Sequence, residues 1–200
     1  MKYPKVSGLE FIPWQPSTWP DPPDTYDSGF NKNLERIFKE TILEEIKNVI
    51  SDAQGHGQGL VHRGHVVAIA ILCAIDAISS YAFQKSQAVC PTCGRGDRIA
   101  HRYKSFIAAY FPRDYRSFSE DIYNLYRNSM VHSWNLFKVS IRPGNQKITL
   151  KDGVLSFGLL NFFTALKNAT NNFLLDLAED PKLQTASLLR YRELKNSALP

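Results

Sequence analysis

A chain of 200 residues, 44% hydrophobic and 22% charged, is long enough to bury one sizeable core and is far from the charge-rich profile of a disordered protein. Its formal net charge of +5 and pI near 9.1 allow attraction to a polyanion such as RNA but fall short of a dedicated charge patch. The basic residues (Arg95, Arg98, Arg102, Lys104, Arg113, Arg116, Arg127, Arg190, Arg192, Lys195) are scattered, as on an ordinary solvated surface. Three cysteines make no even disulfide framework, so a reducing cytoplasm is the expected location, and no apolar run follows the first lysines as a secretory signal would require.

Residues Met1 to Phe30 hold most of the prolines (Pro4, Pro13, Pro16, Pro20, Pro22, Pro23) together with Trp14 and Trp19. That composition opposes a helix and predicts an extended arm over 1–30, its aromatics docked on the rest of the chain or on a partner. Residues 31–200 are then expected to form one helical domain. From Asn31, Leu34, Ile37, Phe38, Ile42, Ile46, Val49 and Ile50 recur with helical spacing and predict a first helix. The stretch Gly55 to Gly64 matches neither a dinucleotide fingerprint nor a P-loop and reads as a flexible connection. Val66 to Gln84 is apolar nearly all round, hence a central helix. It approaches the length of a membrane span, but Asp76 at its centre, beside Ser79 and Ser80, favours a buried core helix, and no membrane is expected.

Cys90-Pro-Thr-Cys93-Gly94 interrupts the helical pattern. Three readings stay open: a plain turn, a redox pair, or one knuckle of a zinc site that His101 and a partner chain would complete. Arg98 to Phe111 predicts a third helix stopped by Pro112. Ser117 and Glu120 have the spacing of a capping box, and the helix they would open carries Ile122, Leu125, Tyr126, Met130 and Trp134 to about Asn135. Phe137–Ile141 and Lys147–Leu150 flank Pro143-Gly144-Asn145, a hairpin signal, with a second turn at Lys151-Asp152-Gly153. Leu159 to Leu177 predicts a long helix, and Asp180 before Pro181 opens a last one to about Lys195.

The chemistry-bearing run is Arg127-Asn128-Ser129-Met130-Val131-His132. At about 100° per residue, Arg127, Asn128 and His132 span an arc of roughly 140° and share one cleft-facing side. A histidine moves protons near neutral pH, an arginine holds a phosphate, and the asparagine orients either the imidazole or a phosphate oxygen. The alternative is structural: His132 as a satisfied bundle histidine and Arg127 as an ion-pair partner.

Arg127-Asn128-x-x-x-His132 resembles the arginine, four-to-six residues, histidine motif of the HEPN superfamily, set on a late helix of a bundle. The motif covers six residues; the general likeness runs over about 31–196. The resemblance implies an all-α, HEPN-like helical bundle, here with a small β-hairpin after the motif helix and the proline-rich arm. It also implies a homodimer whose two motifs form a metal-independent RNase site, requiring no cofactor and leaving a 2′,3′-cyclic phosphate. Relatives include toxins with cognate antitoxins, phage-defence nucleases, and silent modules that bind RNA, nucleotide or protein partners. Asp76 matches the acidic residue some relatives place near the motif, although an acid in a core helix equally suits a structural arginine. The arm, the cysteine insert and the hairpin depart from the common pattern.

Overall fold

The computed structural model describes residues 19–55, 59–82, 98–127 and 139–197. Its architecture is mostly helical, with a small three-stranded sheet. Helix α1 comprises an α-helical stretch Ser28–Arg36, a π-wound stretch Ile37–Leu43 and a second α-helical stretch Glu44–Gly55. It begins where the Asp27 carboxylate accepts a hydrogen bond from the Phe30 backbone N–H at 2.7 Å, satisfying an otherwise orphaned donor. Its stripe of Leu34, Phe38, Ile42, Ile46 and Ile50 is buried, as the spacing requires.

Helix α2, Gly59–Ala82, is the central element and packs against α1 and against three later helices: α3 (Arg98–Tyr110), α6 (Leu159–Glu179) and α7 (Pro181–Ser197). Val67, Ile71, Ile75 and Ile78 are fully buried in it. By length and composition Gly64–Ala82 would suffice to cross a membrane, with a mean hydropathy of 1.8, but it is packed by helices as a core element. Its start corrects the sequence reading, because His62 and Gly64 fall inside the helix rather than in a connection. Once the buried segment commits the helix, each further residue adds a hydrogen bond, which offsets a glycine cost of about 1 kcal/mol.

Aromatic rings fill the space between α1, α3 and α6. Phe38, Phe106 and Tyr110 each lie 5.6–6.2 Å from Phe173, in tilted or edge-to-face pairs. Phe111 and Phe157 are tilted against Phe162, and Tyr115 stacks on it. This second cluster anchors a single turn, α4 (Arg113–Arg116), directly after Pro112 ends α3.

Strands β1 (Val139–Arg142), β2 (Thr149–Lys151) and β3 (Val154–Gly158) form a sheet of order β1-β3-β2. The expected hairpin through Pro143-Gly144-Asn145 is not the one that forms: β1 runs parallel to β3, and the antiparallel hairpin joins β2 to β3. Asp152 (φ 51°) and Gly153 (φ 74°) make its two-residue turn, and two positive φ angles match the twist of the flanking strands. The loop after Pro143 is tied elsewhere. The Asn161 amide donates to the carbonyls of Asn145 (2.6 Å) and Gln146 (3.3 Å), and the Gly158 N–H donates to Gln146 (3.0 Å).

The last helix opens as its sequence predicts, with Pro181 in the first turn and the Asp180 carboxylate accepting from the Lys182 N–H at 2.7 Å. Residues 19–27 lie across it. The Trp19 ring packs on Tyr191 with centroids 5.2 Å apart, and Tyr191, Arg192 and Lys195 donate to carbonyls of Pro20, Pro23, Asp24 and Trp19.

Candidate functional site

The segment leading into the arginine–histidine motif is α5, Ser119–Asp121, continued as a π-wound stretch Ile122–Arg127. Ile122 and Tyr123 are buried, Tyr123 beside Tyr103 with ring centroids 5.4 Å apart, so the segment is anchored in the core. The capping box does not form. Ser117 ends α4, and Phe118 precedes α5 with no side-chain cap. Glu120 is drawn away instead, accepting hydrogen bonds from Lys104 (2.7 Å) and Asn124 (2.6 Å). The Lys104 hydrogen bond is the main cause holding the Glu120 carboxyl below its ordinary pKa. The π winding also means that the α-helical arc derived from the sequence does not describe the approach to Arg127.

Arg127 closes the described stretch with its backbone, while its side chain, Asn128 and His132 lie outside the described residues. So do Cys90 and Cys93. His101 stands exposed on α3, its Nδ1 3.4 Å from the Ser105 hydroxyl one turn on. Among the described residues no group of three or more His, Cys, Asp or Glu side chains is placed to hold a metal ion. Asp76 is half-buried on α2, with Oδ1 3.6 Å from Nη2 of the buried Arg102 on α3. The structure thus brings Asp76 to the structural arginine anticipated as its alternative partner.

A groove of about 620 Å³ lies where α4 meets the loop before β2. Arg113, Arg116 and Ser117 line one side, Lys147 and Ile148 the other, with Asp114 and Phe118 completing the wall. The sequence reading counted Arg113 and Arg116 among scattered surface charges and placed Lys147 on a strand. The three-residue spacing of the arginines was the available signal, since a helical turn brings such residues to one side. Lys147 carried no comparable signal, because only the folded loop brings it near them.

A mostly helical domain with a small mixed sheet and a cationic groove is the class these features define. The chain matches no protein-family model, no curated protein and no solved structure.

Proposed function

We propose that the chain is a HEPN-like, metal-independent endoribonuclease of a toxin or phage-defence system, acting in the cytoplasm as a homodimer, with an antitoxin or another protein as its regulating partner. The observation that carries this reading is the run Arg127-Asn128-x-x-x-His132, entered from a helix anchored by Ile122 and Tyr123. In it Arg127 holds the scissile phosphate and His132 moves the proton as the ribose 2′-hydroxyl attacks. The P–O5′ bond breaks as the 5′-oxygen takes that proton back from His132, and a 2′,3′-cyclic phosphate remains. No step calls for a bound cofactor, because imidazole and guanidinium supply proton transfer and charge stabilisation. Zinc, if held by Cys90, Cys93 and His101, would have a structural role only.

The test is cleavage of single-stranded RNA by the purified protein with chelator present. His132→Ala and Arg127→Ala are each expected to lower the rate by about a hundred- to ten-thousand-fold. Asn128→Ala is milder, helical content by circular dichroism is unchanged, and light scattering gives a dimer mass. A wild-type protein that leaves a panel of RNAs intact, with His132→Ala lowering only the melting temperature, would sink the enzyme reading. A catalytically silent HEPN-like binding module would then take its place.

A further inference from the structure

We infer that the groove between α4 and the loop before β2 binds the phosphate of a nucleotide unit, either free or within single-stranded RNA. The inference does not rest on the Arg127 and His132 reading.

Three cations face one carboxylate, Asp114, so the groove is net positive. Lys104, Arg190 and Lys195 are by contrast engaged, with Glu120, Glu193 and Asp21 respectively. Arg113 and Lys147 make no ion pair or side-chain hydrogen bond among the described residues, even though Asp114 adjoins them. Arg116 donates its Nε to the Phe111 carbonyl at 2.8 Å, which orients the guanidinium, and neither Nη group has an ion pair or side-chain hydrogen bond among the described residues. A planar guanidinium held in this way matches two phosphate oxygens, which a flexible ammonium does not.

Both walls are rigid. Tyr115, between Arg113 and Arg116, stacks on Phe162 at 5.7 Å, so the arginine turn is fixed to the aromatic core. On the other side the Asn161 amide and the Gly158 N–H clamp the residues before Lys147. A backbone frame and an Arg116 guanidinium held in place before the ligand arrives lower part of the ordering cost of binding.

Size and apolar content favour a nucleotide over a bare phosphate. The groove lies within the roughly 300–1,000 Å³ of ordinary ligand clefts. The half-buried Phe118 ring offers a face on which a base can stack, as aromatic rings do in single-strand binders. Ser117 adds a hydroxyl donor for a phosphate or ribose oxygen.

The test is fluorescence anisotropy of a labelled oligouridylate with the His132→Ala chain, so that cleavage plays no part and loss of binding is distinct from loss of catalysis. Binding that weakens with salt is expected. Arg113→Gln with Lys147→Gln should weaken it at least about tenfold and lower the salt slope by roughly 1.4, at about 0.7 per lost phosphate contact on a single strand. Lys182→Gln, an exposed change on α7, should leave binding unchanged. Competition by uridine monophosphate assigns the site to free nucleotide, and its failure assigns the site to the strand. The inference is overturned if neither probe binds at low salt, if the double variant binds as the parent does, or if a phosphopeptide binds where both probes fail.

Discussion

Gly153, in the hairpin turn, and Gly158, at the end of β3, are glycine for opposite reasons. A Cβ added at Gly153 would have no described atom within 4 Å, but φ there is +74°, where an L side chain crowds its own backbone. At Gly158 φ is −86°, open to any residue, yet a Cβ would stand 2.4 Å from both the Gln146 nitrogen and the Gly144 oxygen. Alanine at Gly153 is therefore expected to cost about 1–2 kcal/mol through strain alone and to leave the groove intact. Alanine at Gly158 should cost about 1–3 kcal/mol and also displace the backbone that carries Lys147, so oligouridylate binding weakens with stability. Urea denaturation and anisotropy on the two variants check this. Equal binding losses would show that Gly158 does not position the loop.

At the scale of elements, the arm and α7 are complementary in hydrogen bonding. Prolines have no N–H, so the arm presents carbonyls, and α7 supplies the donors from Tyr191, Arg192 and Lys195, within about one turn. Trp19→Ala is expected to destabilise by roughly 1–3 kcal/mol and Tyr191→Phe by about 0.5–1.5 kcal/mol. Because both groups act in one dock, the double variant should lose less than the sum of the singles in a denaturation cycle. Strict additivity would mean that the arm does not seat as a unit. Elements with their own punctuation were legible in the sequence: α3 before Pro112, α6 from its long apolar period, and α7 from Asp180 and Pro181. Legibility failed where distant groups compete for a local signal. Lys104 takes Glu120 from the capping box, and Asn161 takes the Pro143 loop from a hairpin that Asp152-Gly153 makes instead. The groove needed the same long-range knowledge, whereas Arg127, Asn128 and His132 were visible as a motif whose geometry lies outside the described residues.

At the scale of the whole molecule, buried phenols tie stability to alkaline pH. Burial is the largest cause raising Tyr26, Tyr110, Tyr115 and Tyr191 from 10.0 to about 12, with added repulsion from Asp27, Asp176, Asp114 and Asp21 respectively. Burial also raises Tyr81, and Arg190 offsets this only in part. A raised pKa means that the folded chain holds these protons more tightly than the unfolded chain does. Their contribution is fully present below pH 10 and is lost as pH rises toward about 12, because the unfolded phenols ionise first. Ionisation of Tyr191 would also remove the hydroxyl proton donated to the Pro20 carbonyl, so the arm should leave α7 in the same range. Urea midpoints are therefore expected to stay level through mildly alkaline pH and then fall, with Tyr110→Phe showing a shallower fall than the parent. Tyrosinate absorbance of the folded protein should lag behind that of the urea-unfolded chain. Coincident titration curves would show that these rings are solvated, and would remove the aromatic packing on which the groove's rigid wall depends.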